Sequence, residues 1–236
     1  MGRLRSATME ESVLRRGVAE FIGTFTLIFI GGGAGAISGN DIVAVALANG
    51  LAIGIMVSNF GHISGGHFNP AITLGFVATR RITWQVAVAY WVSQFLGAVA
   101  AAALLRWFFH RVAMLGVVPH VNSHIGAGKG LVVEIILTIF LVLAVFATAV
   151  DPGGAFKAIA GLGIGLTISI DVLMGGPLTG AAMNPARAFG PQLIFNFWGD
   201  GWVYYVGPAI GAVIAAVGYD YLYLRPSRPA AAAEAA

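Results

Sequence analysis

Gly61-His62-Ile63-Ser64-Gly65-Gly66-His67-Phe68-Asn69-Pro70-Ala71 and Met183-Asn184-Pro185-Ala186-Arg187-Ala188-Phe189-Gly190-Pro191 are the stretches on which the reading of this chain turns. Each runs into an apolar segment, about 69–79 and 184–194, that opens with Asn-Pro. Both segments fall short of the roughly 20 residues a helix needs to cross a bilayer. Pro at the first helical position with Asn just before it is a helix-start signature. The two segments therefore read as half-helices that begin inside the membrane. Backbone exposed at that depth is tolerated only where it lines a cavity. Two such turns point to a pore or a binding site.

The surrounding chain is built for a bilayer. Of its 236 residues 58% are hydrophobic and 10% charged, where a soluble domain carries about 25% charged residues. That excludes a disordered chain and argues against a water-soluble enzyme. The absence of Cys excludes a disulfide scaffold, a Cys-ligated metal and a Cys nucleophile. A net charge of +3 gives no nucleic-acid surface. Charge-poor runs place six spans at roughly 18–38, 42–61, 83–105, 130–150, 157–175 and 202–223. The expected fold is an all-α polytopic membrane protein with six transmembrane helices and two re-entrant half-helices.

Basic residues orient such a chain. Arg3, Arg5, Arg15, Arg16, Arg80, Arg81, Lys157, Arg225 and Arg228 fall on one side; Arg106, Arg111, Lys129 and Arg187 fall on the other. Both termini are expected to be cytoplasmic, in the plasma (inner) membrane. Residues 1–12 read as an N-terminal tail, 13–224 as the channel domain and 225–236 as a disordered tail. Trp84, Trp107, Trp198 and Trp202 lie near span ends and read as interfacial anchors.

The two halves of the domain, about 13–110 and 127–224, match. Ala19-Glu20-Phe21 pairs with Val133-Glu134-Ile135, Asn69-Pro70-Ala71 with Asn184-Pro185-Ala186, and Tyr90-Trp91 with Tyr204-Tyr205, at offsets of 114, 115 and 114 residues. Three spans is an odd number, so the second copy inserts upside down. Inverted repeats place functional sites at the midplane, where the copies meet.

These residues resemble the aquaporin (major intrinsic protein) family. The two Asn-Pro-Ala stretches are similar to its two signatures, and Ala19-Glu20-Phe21-Ile22-Gly23-Thr24 to its first-helix motif. The resemblance covers about residues 13–224 and implies a passive channel, not an enzyme, with no cofactor and no metal. It also implies a homotetramer in the lipid bilayer, each protomer with its own pore. Carried over by motif, the constriction is expected at Asn49, Val172, Ala181 and Arg187. The pore-facing carbonyls are expected on Gly65, Gly66, His67, Gly180 and Ala182. Glu20 and Glu134 are expected to support the loops, with a proton relay as the alternative. Strict water channels of the family place Phe and His where Asn49 and Val172 stand, so this constriction is expected to be wider and less polar. Glycerol facilitators place Asp after the Arg, where Ala188 stands, and favour a Pro-Leu pair where Tyr204-Tyr205 stands. The Gly175–Gly180 stretch resembles plant vacuolar members, some of which pass ammonia or urea. The expected solute is water, with small neutral solutes besides. The alternatives are a glycerol, urea, ammonia or metalloid-acid facilitator of the same fold and, from another class, an ion-coupled secondary transporter.

The chemistry follows from the residues as well. A helix N-terminus carries about half a positive charge and free N–H groups. Two of them head to head make a positive centre, and Asn69 and Asn184 add amide donors. A water there turns its oxygen to the asparagines and cannot pass a proton on. Arg187 adds a full positive charge nearer the outer mouth; in the family, half-helix dipoles and an arginine form the barrier to protons and cations. Plain N-capping is the other role open to each Asn, interhelical packing the other role open to Asn49, and snorkelling to the interface that of Arg187. The Gly31–Ala36 run fits a nucleotide-loop pattern formally but follows no strand. His120 and His124 read as solvated loop residues, and Asp171 as a group at the mouth that faces water or pairs with an outer-loop base. With Ala181 in place of a thiol, mercurials acting at the pore should leave flux unchanged. Inhibition without general protein damage would contradict this.

Overall fold

The computed structural model describes residues 2–111, 117–154 and 159–225, with 2–11 described by their backbone alone. The chain forms α1 (Gly2–Ser38), α2 (Ile42–Ser64), α3 (Pro70–Ala78), α4 (Trp84–Phe108), α5 (Gly126–Val145), α6 (Ala160–Thr179), α7 (Pro185–Phe195) and α8 (Val203–Tyr219). Helices α5 and α8 continue through π-helical turns, Phe146–Val150 and Asp220–Leu224. No strand occurs among the described residues. Six apolar stretches of 20 to 27 residues are long enough to span, and α3 and α7 are not. Helix α1 has 37 residues, roughly 55 Å at 1.5 Å per residue. Its first turns therefore overshoot a hydrocarbon core of about 30 Å, and helical backbone continues into the expected N-terminal tail. Residues 226–236 of the expected C-terminal tail, and Lys157, lie outside the described residues.

The packing repeats with inverted sense. Helix α1 packs on α2 and α4 as α5 packs on α6 and α8, and α2 crosses α6 at the centre. The half-helices cross between repeats: α3 lies against α8, and α7 against α4. At the α2–α6 crossing Gly50 and Gly54 face Gly161 and Gly165. A Cβ on Gly161 would collide with Gly54 O, and one on Gly165 with Gly50 O. Glycine there lets the backbones touch, which is how helices gain packing energy when lipid removes the hydrophobic drive.

The outer surface is apolar. Val43, Leu47, Leu51 and Ile55 form one exposed stripe on α2, and Val132, Ile136 and Phe140 another on α5. Successive members are four residues apart and so share a helix face. Polar groups turn inward: Glu20, Thr24, Asn49, Gln94, Glu134, Thr138, Ser169 and Asp171 are all buried. The interfacial reading suits Trp84, Trp107, Trp198 and Trp202, all of which are exposed near helix ends. At one end Asp220 Oδ1 accepts from Arg81 Nη2 at 2.8 Å and its Oδ2 from Arg225 Nε at 3.1 Å. This ties the α3–α4 connection to the end of α8.

Gly165→Leu should destabilise the fold by about 1–3 kcal/mol or more through overpacking. Gly218→Ala meets open space and should be nearly neutral. Thermal unfolding of the detergent-solubilised protein would compare the two; equal midpoints would contradict the close crossing.

Candidate functional site

Each re-entrant turn begins where a spanning helix stops on a left-handed glycine, Gly65 (φ 94°) after α2 and Gly180 (φ 79°) after α6. Phe68 (φ 48°), Ala181 (φ 43°) and Met183 (φ 51°) also lie in the left-handed region. Such conformations cost about 1–3 kcal/mol each and persist only when the surroundings over-determine them. Here a buried glutamate does so on each side. Glu20 Oε1 accepts from Ser64 Oγ at 2.6 Å and His67 N at 3.0 Å, and its Oε2 from Phe68 N at 2.6 Å and Gln94 Nε2 at 2.8 Å. Glu134 Oε1 accepts from Thr179 Oγ1 at 2.7 Å and Ala182 N at 2.9 Å, and its Oε2 from Met183 N at 2.7 Å. The hydroxyls in turn accept from the turns: Gly66 N–H donates to Ser64 Oγ and Ala181 N–H to Thr179 Oγ1, both at 3.1 Å. Tyr90 and Tyr204 complete the pattern, donating to Ser64 O at 2.6 Å and Thr179 O at 2.7 Å.

The half-helices start at the centre, N-terminus to N-terminus. Asn69 and Asn184 have extended backbones and cap α3 and α7 through Oδ1. Asn69 Oδ1 accepts from Ala71 N at 2.8 Å; Asn184 Oδ1 accepts from Ala186 N at 3.0 Å and Arg187 N at 3.2 Å. Pro70 and Pro185 occupy the first helical position, where no N–H is needed. The amides then cross over: Asn69 Nδ2 donates to Met183 O at 2.8 Å and Asn184 Nδ2 to Phe68 O at 2.9 Å. Capping uses the oxygen and crossing uses one amide hydrogen, so each asparagine keeps a second N–H.

A narrow cavity of about 20 Å³ runs past this junction, lined by Asn69, Asn184, Gly66, His67, Ala181 and Ala182 among others. Asn49, Val172 and Arg187 line it too, with Leu27, Ile53, Ile168 and Met183 as apolar wall. A water needs about 10–15 Å³, so the space admits about one water at a time. A second narrow segment of about 20 Å³ continues past Leu27, Asn49 and Arg187. Beyond it a chamber of about 320 Å³ opens, lined by Val172, Gly180, His120 and Arg187. Arg187 lines both narrow segments and the chamber, and its buried Nη1 has no hydrogen-bond partner among the described residues.

A profile of the family described as Major intrinsic protein matches residues 7–219. The chain belongs to the major intrinsic protein family. It is 42% identical over 235 residues to Aquaporin TIP4-4 of Zea mays, covering 95% of this chain and 92% of that one. It is 41% identical over 239 residues to Probable aquaporin TIP3-2 of Arabidopsis thaliana, covering 94% and 88%. Among solved structures, the aquaglyceroporin from Plasmodium falciparum superimposes with a TM-score of 0.81 at 26% identity, covering 91% of this chain and 98% of that one. Proteins of this family are passive channels, not enzymes, and this chain is accordingly a multi-pass membrane channel for water or small solutes.

The structure gathers Asn49, Val172, Ala181 and Arg187 around one passage with both asparagines. Gly65 shapes the first turn but stands outside the lining of the narrow segments. Asn49 does two things at once. Its Nδ2 donates to Val45 O at 2.8 Å, and its amide lies where a Cβ on Gly31 of α1 would stand. Asp171 is buried, and its Oδ2 has neither a hydrogen bond nor a basic partner among the described residues; the expected pairing with an outer-loop base is not formed there. His120 bonds Val118 O through Nδ1 at 3.0 Å, and no metal-type cluster of three occurs among the described residues. Sequence reasoning missed Leu27, Ser64, Thr179 and Gln94. Ser64 and Thr179 were findable: they are hydroxyls in register with the repeat, 115 residues apart.

Glu134→Gln should be costly, because its amide nitrogen must face a donor and leave a buried N–H unpaired at about 1–3 kcal/mol. Tyr204→Phe loses one hydrogen bond and should cost about 1 kcal/mol. Thermal unfolding and osmotic flux should both rank Glu134→Gln as the more damaging; the reverse order would overturn the account of the turns.

Proposed function

We propose that this protein is a water channel that also admits small neutral solutes and excludes protons and ions. The observation that carries the reading is the pair of crossed asparagine amides, each with a spare N–H on a cavity of single-file width. A water at the junction presents its oxygen to both amides and to the converging helix N-termini. Its hydrogens then point outward along the file, so it donates in both directions and relays no proton. The carbonyls of Gly66 and His67 on one side and of Ala182 on the other receive those hydrogens, and those of Gly65 and Gly180 extend the two series outward. Arg187 forms the outer constriction with Asn49, Val172 and Ala181. Its guanidinium supplies donors beside the passage and its charge repels cations. Glu20 and Glu134 hold the turns; with their oxygens engaged by donors they do not serve as proton carriers.

A facilitator of glycerol, urea, ammonia or a metalloid acid is the second reading. It is favoured by a constriction without an aromatic side chain at Asn49, Val172 or Ala181. Leu27 weighs for water, because it fills space beside Asn49 in both narrow segments. The channel unit spans about 13–224. We read four copies as the assembly, on the family pattern. Both termini lie on the cytoplasmic side: six spans return the chain to the side it started from, and the basic residues favour that side.

Stopped-flow light scattering on proteoliposomes tests the reading. Fast shrinkage in sucrose, slowed by more than tenfold in Asn184→Leu reconstituted as folded protein, is the expected result. Re-swelling in glycerol or urea that Asn49→Phe suppresses would establish the facilitator instead. Flux that follows an ion gradient would make the protein a coupled transporter.

A further inference from the structure

The first repeat contains a buried polar chain that the second lacks. His67, Thr73 and Gln94 stand where the repeat places Ala182, Ala188 and Pro208. All three side chains are buried. Thr73 Oγ1 lies 3.0 Å from His67 Nδ1, 3.1 Å from Gln94 Nε2 and 3.1 Å from Asn69 O. The Gln94 amide cannot turn over freely, because its Nε2 also donates to Glu20 Oε2 at 2.8 Å. That carboxylate already receives Ser64 Oγ, His67 N and Phe68 N, so four donors fill its four lone-pair sites.

The remaining choice is where the imidazole proton sits. A threonine hydroxyl has one proton and two lone pairs. With the proton on Nδ1, Thr73 accepts from His67 and Gln94 and donates to Asn69 O, which makes three hydrogen bonds. With Nδ1 bare, Thr73 must donate to it and the bond to Asn69 O is lost, which leaves two. The ring's orientation is independently clamped, with Phe76 at 4.2 Å and Tyr90 at 5.2 Å between centroids. His67 lines the narrow cavity, and among the described residues its ring is hydrogen-bonded through Nδ1 alone.

We infer that Gln94 and Thr73 hold His67 in its Nδ1-protonated form, so that a bare Nε2 faces the pore as a hydrogen-bond acceptor on the first-repeat side of the asparagine pair. The inference rests on the pore reading above and deepens it. A water leaving the asparagines in that direction points a hydrogen ahead of it. A bare ring nitrogen accepts that hydrogen and continues the series of carbonyl acceptors. A protonated Nε2 would donate, oppose the water's orientation and slow the file. Gln94 and Thr73 are positioning residues, acting on water only through the ring. The second repeat has Ala182 at the matching place and leaves the work to carbonyls, so the two halves of the pore are chemically unequal.

Solid-state 15N spectroscopy of histidine-labelled protein in lipid bilayers reads the ring directly. The His67 signals are identified among the five histidines by their loss in His67→Gln. The expected result is one state, with Nδ1 protonated and Nε2 bare. Thr73→Val should mix or invert it and lower osmotic water permeability several-fold, whereas Thr73→Ser should preserve both. Gln94→Leu should disturb the ring state in the same sense and serves if Thr73→Val fails to fold. A protonated Nε2 in the wild type, or a ring state that ignores both Thr73→Val and Gln94→Leu, would overturn the inference. Wild-type protein with the expected ring state but no osmotic flux would overturn the channel reading instead, so the two failures are distinguishable.

Discussion

Unpaired backbone inside a membrane is the constraint on which the rest of this structure depends. Each re-entrant turn leaves several N–H groups at a depth where lipid offers no acceptor. Glu20 and Glu134 resolve this by accepting from the N–H groups of residues 67 and 68 and of residues 182 and 183. A carboxylate in hydrocarbon is itself expensive. It is tolerable here because the donors that need it also compensate it. Neither partner is stable at this depth without the other. The glutamates sit on the first helix of each repeat, so the turns can form only once α1 has packed on α2 and α5 on α6.

Holding the turns also exposes what they carry. Once residues 67–68 and 182–183 direct their N–H groups to a glutamate, the opposite face of each turn is free to line a passage. The same geometry brings α3 and α7 together at their N-termini, where two partial positive charges would repel if left alone. Crossed asparagine amides offset that cost, each taking a carbonyl of the opposite turn. The arrangement that stabilises the junction is therefore also the one that leaves two amide hydrogens for a passing solute.

The inverted repeat is close to symmetric in its scaffold and less so in its lining. Ser64 matches Thr179, and Tyr90 matches Tyr204, down to the atoms they bond. The repeats diverge at His67, which lines the cavity, at its buried supports Thr73 and Gln94, and at Arg187, whose counterpart in the first repeat is Ile72. The scaffold is constrained because every turn faces the same shortage of acceptors.

Much of this was legible in the residues taken one stretch at a time. Charge-free runs locate spans because a bilayer rejects charge, and Asn-Pro at the head of a short apolar segment marks a helix start. The matched offsets disclose the inversion because three spans cannot return a chain to its starting side. None of that discloses which lone pair meets which N–H. Glu20 reaches partners 44 to 74 residues away, and the asparagines bond across 114 and 116 residues. Such pairings depend on where helices cross, and crossing is set by the summed shapes of both faces. Leu27 illustrates the point: on the sequence it is one more apolar residue of a span, and only the packing of α1 puts it on the wall of the narrow cavity. Gln94 is the same case with the opposite polarity, an amide in mid-span of an apolar helix whose meaning lies in the glutamate, threonine and histidine that the fold brings to it. Composition and periodicity record what each segment needs to bury, whereas tertiary packing alone decides what it is buried against.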